Sequence, residues 1–164
     1  IAHILRVKWG LSKGDRVVLA FDFGLRFFAV FLGCLRAGII AVPVYPPNPA
    51  TLKKSLKKLQ LIVDSCAPKM VLVCPLVNKL RLASKLWAAA TGKSGWPDLP
   101  YHCPDSADVK RTRPSFDDPT IKPQDVAFLQ FTSGSTSDPK GVMLTYGNLT
   151  HNIGVIVDSS NAVR

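Results

Sequence analysis

Residues Phe128 to Val142 read FLQFTSGSTSDPKGV, an apolar run that opens into hydroxyl side chains and glycines and turns apolar again at Val142. Gly134 and Gly141 allow backbone conformations with positive φ and a close approach to a ligand, so that amide N–H groups can converge on an anion. Lys140 adds a flexible positive charge that suits β- or γ-phosphate oxygens. The hydroxyl donors of the stretch are Thr132, Ser133, Ser135, Thr136 and Ser137. We therefore interpret it as a phosphate-binding loop between two strands.

This loop differs from the phosphate loop of Ras-type NTPases. That loop has the spacing G-x-x-x-x-G-K-[ST], whereas here Lys140 precedes Gly141. An ordinary Ser/Gly-rich turn is the alternative, because such turns are common. The order of strand, hydroxyl loop, Pro-Lys-Gly and strand favours the nucleotide site. Hydroxyls can also reach a phosphate-bound Mg²⁺.

Strands and helices alternate along the rest of the chain. Short runs rich in β-branched residues predict buried strands at 17–21, 39–45 and 70–74. Helical periodicity predicts helices at 25–37, from a Thr51 cap to about Cys66, and at 77–90. This alternation predicts an α/β fold with right-handed crossovers and a mostly parallel sheet flanked by helices.

The beginning, the middle and the end of the chain lie outside this regular alternation. Residues 1–9 resemble the tail of a helix, and residues 91–123 lack periodicity and predict a long irregular connection with one short strand. Strands at 126–131 and 142–145 flank the loop, and Asn148 is expected to cap a final helix.

The stretch TSGSTSDPKGV, Thr132 to Val142, resembles the phosphate-loop signature of the adenylate-forming superfamily. That superfamily includes acyl-CoA synthetases, luciferases and nonribosomal peptide adenylation domains. The likeness extends to GDRVVLAF (14–21), FLGCLRAGIIAVPVYPPNP (31–49) and KLQLIVDSCAPKMVL (58–72). The Val-Tyr-Pro-Pro sequence at 44–47 favours one branch, the fatty acyl-AMP ligases.

The resemblance implies ATP-dependent activation of a fatty acid to an acyl adenylate, with release of pyrophosphate and with Mg²⁺ as the metal. It assigns charge neutralisation on the phosphates to Lys140 and a magnesium contact to Thr132. The implied nucleotide contacts are Thr132, Ser133, Gly134, Ser135, Thr136, Ser137, Lys140 and Gly141. An acyl carrier protein or a downstream polyketide synthase domain is an implied partner. An acyl-CoA synthetase, another adenylate-forming ligase and a non-catalytic nucleotide-binding module of the same fold remain alternatives.

The chain is expected to be an N-terminal piece of such an enzyme. It begins without methionine, and all eleven acidic residues are aspartates, so the family's magnesium-binding glutamate lies elsewhere. We expect residues 1–164 to be part of the AMP-binding domain, with the C-terminal domain and its catalytic lysine outside the chain. The 164-residue chain alone is therefore expected to show no turnover.

Two positions depart from the commonest form of the family signature. Ser137 stands where many members carry glycine, and it adds a hydroxyl. Tyr146 stands where a histidine often precedes the Gly-Asn-Leu at 147–149. If that histidine shapes the acyl pocket, Tyr146 changes the substrate preference.

The net charge of +10 raises the possibility of a basic nucleic-acid or lipid-surface binder. Much of the excess is explained by lysines at 53, 54, 57 and 58, opposite the apolar side of one predicted helix. We interpret them as a solvated face. Because no aromatic pattern of the RNA-binding type accompanies them, we expect no nucleic-acid partner.

Other composition features exclude further classes of site. Cys34, Cys66, Cys74 and Cys103 form no C-x-x-C pair, so they predict core thiols of a reducing, cytoplasmic compartment. His3, His102 and His151 lack a neighbouring nucleophile and are expected to be structural or exposed. The apolar stretch 27–44 contains Arg36 and ends in prolines, so no transmembrane segment is expected.

Overall fold

The computed structural model describes residues 1–91, 95–104, 117–132 and 139–161, which form a six-stranded sheet with its helices. The strands are β1 Arg16–Ala20, β2 Ile40–Val44, β3 Met70–Val73, β4 Tyr101–His102, β5 Val126–Thr132 and β6 Lys140–Thr145. The helices are α1 Leu25–Arg36, α2 Leu52–Cys66, α3 Pro75–Thr91 and α4 Tyr146–Asn161. A π-helical turn at Ile4–Lys8 replaces the expected helix tail at the start of the chain.

The sheet has the strand order β4-β3-β1-β2-β5-β6. All neighbouring strands from β4 to β5 run parallel, and only β5 and β6 pair antiparallel. The chain steps from β1 to β2 in one direction and from β2 back past β1 to β3 in the other. Because such crossovers are right-handed, α1 covers one face of the sheet, and α2 and α3 cover the other. The predicted α/β fold with a mostly parallel, helix-flanked sheet is confirmed.

The core lies around β1 and β3, the two strands with apolar residues on both faces. Val17, Val18 and Leu19 of β1 are fully buried, as are Val71 and Leu72 of β3. A parallel strand covered by helices on both sides has no solvent face, which explains why these runs are continuously apolar instead of alternating. From α2, the residues that join the core are Leu56, Leu59, Ile62, Val63 and Cys66.

Thr51 lies at the N-cap position of α2, as predicted, whereas the predicted cap of α4 is wrong in position. Thr51 makes no capping hydrogen bond to α2; a 3-10 turn at Pro49–Thr51 precedes the helix, and the Asn48 side chain accepts from the Ala50 amide at 2.9 Å. At α4 the capping residue is Thr145, whose hydroxyl accepts from the Asn148 amide at 3.1 Å. In return, the Thr145 amide donates to Oδ1 of Asn148 at 2.9 Å. This reciprocal arrangement is a capping box, with Asn148 in the third helical position.

Charged side chains hold the segment before β5 at the amino edge of the sheet, where the parallel strands begin. The Lys13 ammonium lies 2.6 Å from the Asp125 carboxylate and donates to the Thr120 carbonyl at 2.8 Å. The hydrogen bond from Lys13, joined by one from the Lys122 amide, lowers the pKa of Asp125. These contacts fix where β5 enters the sheet and therefore where the loop that follows β5 begins.

Candidate functional site

An open cleft of about 600 Å³ lies at the carboxyl edge of the sheet, where β1, β2 and β5 end. We call it the carboxyl-edge cleft. Open parallel sheets commonly bind ligands at this edge, because the loops that leave the strands surround a crevice there. Residues from both α1 and α2 also line it, including Phe27 and Leu59.

The walls of the carboxyl-edge cleft are mainly apolar. The apolar lining consists of Phe21, Phe23, Phe27, Pro43, Val44, Tyr45, Pro46, Leu59, Ile62 and Phe131. The polar lining consists of Asp22, Ser55, Lys58, Gln130 and Thr132. A wall of this composition suits a ligand that combines an apolar body with a polar or charged group.

The candidate phosphate loop joins β5 and β6 at this cleft. Thr132, the last residue of β5, lines the cleft and is the cross-strand partner of Lys140, the first residue of β6. Direct partners in an antiparallel pair have Cα atoms about 5 Å apart and side chains on the same face. The hairpin therefore brings together a predicted hydroxyl donor and the predicted phosphate lysine, which are eight positions apart in sequence.

The other loop residues predicted to contact the nucleotide lie outside the described residues. They are Ser133, Gly134, Ser135, Thr136 and Ser137. Their roles stay predictions, and the described part of the predicted site consists of Thr132, Lys140 and Gly141.

Gly141 does not adopt the positive φ that glycine allows. It lies inside β6, and its φ is outside the left-handed region. Its lack of a side chain instead makes room for a ring, since a Cβ at Gly141 would lie 2.9 Å from Cζ of Phe131. Phe131 is the direct cross-strand partner of Gly141 and also lines the carboxyl-edge cleft. The glycine thus lets an aromatic ring lie across β6 at the base of the loop.

Tyr146 lies at the opposite end of β6 from the loop. Its hydroxyl donates to the Leu35 carbonyl at the end of α1 at 2.6 Å. Burial raises the pKa of Tyr146 to about 12, so the phenol remains protonated at neutral pH. The six residues of β6 separate it from Lys140 by roughly 20 Å. In the described part of the chain, Tyr146 joins α4 to α1 at the amino edge and does not line the carboxyl-edge cleft.

Sequence reasoning missed several residues of the cleft. Lys58 was assigned only to a solvated helix face, yet it also lines the carboxyl-edge cleft, as do Tyr45 and Pro46. Asp22 was not singled out; it follows β1 and accepts a weak bond from the Cys74 thiol at 3.6 Å. The positions of Asp22, Tyr45 and Pro46 after predicted strands could have indicated this, because residues directly after parallel strands meet at one edge of the sheet.

The described residues contain no group of three or more His, Cys, Asp or Glu side chains suited to a metal ion. Thr132 contributes a single hydroxyl, which fits Mg²⁺ only as part of a complex with nucleotide phosphates. Among the candidates for structural roles, His102 stacks on Trp9 with ring centroids 4.7 Å apart. Complete burial raises the pKa of the Cys34 thiol to about 12, as expected for an unreactive core cysteine.

No helix in the described ranges is long and apolar enough to cross a membrane.

Comparison with known proteins places the chain among adenylate-forming enzymes. The family described as AMP-binding enzyme matches residues 1–163. A medium-chain-fatty-acid–[acyl-carrier-protein] ligase, JamA of Moorena producens, is 32% identical over 150 residues, covering 91% of this chain and 24% of that protein. A long-chain-fatty-acid–CoA ligase of Escherichia coli O157:H7 is 31% identical over 174 residues, covering 93% of this chain and 31% of that protein.

A solved structure has the same fold. It is a fatty acyl-adenylate ligase from L. pneumophila in complex with acyl adenylate and pyrophosphate. Its TM-score is 0.75 at 39% sequence identity, and the match covers 93% of this chain and 24% of that one. The chain therefore spans about a quarter to a third of the length of these three proteins.

Proposed function

The chain belongs to the AMP-binding enzyme family, and from that membership we propose that it carries the phosphate loop of a ligase that activates a fatty acid as its acyl adenylate. The observation that carries the proposal is the pairing of Thr132 with Lys140 at the carboxyl-edge cleft. The fatty acyl-adenylate ligase of similar fold supports the choice of substrate class.

In the proposed reaction an oxygen of the fatty acid carboxylate attacks the α-phosphorus of ATP. The bond from that phosphorus to the oxygen that bridges the β-phosphate breaks, and pyrophosphate leaves. The leaving group gains negative charge, so catalysis requires charge neutralisation more than an acid or a base. Lys140 supplies positive charge at the end of the hairpin, and Thr132 supplies a hydroxyl donor beside it.

The remaining loop residues complete the proposed phosphate site. Ser133, Gly134, Ser135, Thr136 and Ser137 would add hydroxyl and amide donors between Thr132 and Lys140. Mg²⁺, when bound with ATP, supplies further neutralisation of the phosphate charge, and Thr132 is the described residue proposed to contact it.

The test is the exchange of radiolabelled pyrophosphate into ATP by the full natural polypeptide that carries this sequence, with a long-chain fatty acid as substrate. Lys140→Ala is expected to lower the exchange rate about tenfold or more, the scale for loss of one charge-stabilising donor. Lys53→Ala is the matched control, because Lys53 is exposed on α2 and does not line the cleft. An unchanged rate in Lys140→Ala would contradict the phosphate role.

The acceptor of the acyl group is a separate question. JamA is named as an acyl-carrier-protein ligase and the E. coli relative as a CoA ligase. We propose a carrier protein as the acceptor, because the Val-Tyr-Pro-Pro sequence at 44–47 resembles the fatty acyl-AMP ligase branch. Supplying coenzyme A and a carrier protein in parallel reactions distinguishes the two, since a CoA thioester would favour the synthetase alternative. Nucleotide binding without exchange would favour a non-catalytic module.

A further inference from the structure

The carboxyl-edge cleft contains a lysine to which neither the loop nor the family comparison assigns a role. We propose that Lys58 binds the anionic group of the ligand that occupies this cleft, a phosphate or a carboxylate. The proposal deepens the proposed function and rests on it for the identity of that ligand.

The first argument is the position of Lys58 on α2. Successive α-helical residues are 100° apart, so positions 55, 58, 59 and 62 share one side of the helix. Ser55, Leu59 and Ile62 all line the carboxyl-edge cleft together with Lys58. Leu59 and Ile62 are each 4% exposed and anchor this side of the helix in the core. Lys58 is therefore carried into the cleft by a helix face that packing holds in place.

The other lysines of α2 provide the contrast. Lys53, Lys54 and Lys57 are exposed and do not line the cleft. By the same geometry, Lys57 is turned about 100° from Lys58, away from the cleft side. All four lysines are exposed, as the sequence predicts, and Lys58 is the one of them that also lines the cleft.

Lys58 also gives the lining of the carboxyl-edge cleft a positive charge. Lys58 is the one basic side chain among the described residues that line the carboxyl-edge cleft, and Asp22 is the one acidic side chain. Within the described ranges Lys58 has no recorded salt bridge or hydrogen bond, and Asp22 has the Cys74 thiol as its recorded partner. The Lys58 ammonium is consequently available for a ligand.

The rest of the cleft lining combines aromatic and polar side chains. Phe21, Phe27 and Phe131 contribute aromatic surface, and Thr132, the residue that precedes the phosphate loop in sequence, lines the same cleft. A ligand that fits has an apolar part and an anionic part. Both substrates of the proposed reaction carry such an anion, ATP as phosphate and the fatty acid as carboxylate.

The test compares Lys58→Gln, Lys58→Arg and the control Lys57→Gln in the full natural polypeptide. Titration calorimetry measures the Kd of ATP and of dodecanoate separately, and pyrophosphate exchange gives KM for each. For Lys58→Gln we expect about a fivefold to tenfold rise in Kd and KM for one of the two, the scale of the net contribution of one hydrogen bond. We expect Lys58→Arg to restore most of the affinity and Lys57→Gln to leave it unchanged.

The two arms identify the anion. A rise confined to ATP identifies phosphate, and a rise confined to dodecanoate identifies carboxylate. Affinities in Lys58→Gln equal to those in Lys57→Gln would overturn the proposal, as would a wild-type protein that binds neither compound. Absence of exchange in a wild-type protein that does bind them would instead contradict the proposed reaction, while the calorimetric comparison would still decide the role of Lys58.

Discussion

Replacing Gly141 with alanine tests how the base of the phosphate loop is built. The new Cβ would lie 2.9 Å from Cζ of Phe131 and 3.1 and 3.3 Å from its two Cε atoms. Carbon atoms in contact prefer about 3.5–4.0 Å. The Phe131 ring must therefore move by roughly 0.5–1 Å, and because it lines the carboxyl-edge cleft, the movement changes the shape of that cleft.

Two opposing terms set the size of the effect. Overpacking of this kind lowers the free energy of unfolding by about 1–3 kcal/mol. Replacing a glycine in a strand interior with alanine raises it by about 0.5–1 kcal/mol. We expect a net destabilisation of about 1 kcal/mol, which corresponds to a fall in Tm of about 2–4 °C for a folding unit of this size. Pyrophosphate exchange should fall as well, since Phe131 precedes Thr132 directly.

The assay is thermal unfolding together with pyrophosphate exchange. Gly154→Ala is the matched control, because a Cβ at Gly154 meets nothing within 4 Å and alanine favours the interior of α4. Adding Phe131→Leu to Gly141→Ala should relieve the clash, so the two changes together should cost less than the sum of their separate costs. If Gly141→Ala raises Tm as Gly154→Ala does, and the double variant shows no coupling, the ring contact is refuted.

Two further predictions concern the amino edge. Tyr146→Phe removes the hydroxyl that donates to the Leu35 carbonyl; we expect a loss of about 1 kcal/mol in the free energy of unfolding, with KM values unchanged, and an altered KM would show that Tyr146 reaches the substrate. The pKa of Asp125 is lower in the folded protein because of Lys13, so its stabilisation is present at neutral pH and is lost as pH falls below the unfolded value of about 3.9 and through the folded one. The Tm difference between wild type and Asp125→Asn should therefore shrink towards pH 3, and a difference independent of pH would exclude the ion pair as its source.

The order of strands and helices could be predicted from the sequence because the signal is local. The predicted strand at 17–21 and the observed β1, Arg16–Ala20, differ by one residue at each end. The helix predicted to end near Cys66 does end there, at a left-handed Ala67 that precedes Pro68. In both cases a continuous apolar run or a helical repeat meets a residue that stops it.

The sequence did not show the roles of residues whose decisive contacts are distant in sequence or depend on three-dimensional packing. The sequence shows that glycine at 141 permits positive φ, but the neighbour that requires a glycine there is Phe131, ten residues earlier and across the hairpin. Lys58 is exposed, as the sequence predicts, but only the packed helix shows that it, and not the neighbouring lysines of α2, also lines the cleft. The choice between Thr145 and Asn148 as the cap of α4 depends on side-chain hydrogen bonds that both residues form.

The hairpin geometry also limits how the proposed phosphate site can work. In many nucleotide-binding folds the phosphate loop leads into a helix whose N-terminus favours anions. Here the loop leads from β5 into the antiparallel strand β6, and α4 begins only after Thr145, at the other end of that strand. Because strands have small net dipoles, neutralisation must come from the loop's own amides and hydroxyls and from discrete positive charges. For this physical reason we expect nucleotide binding to depend strongly on Lys140. We also expect an additional cation such as Lys58 to have a measurable effect on ligand affinity.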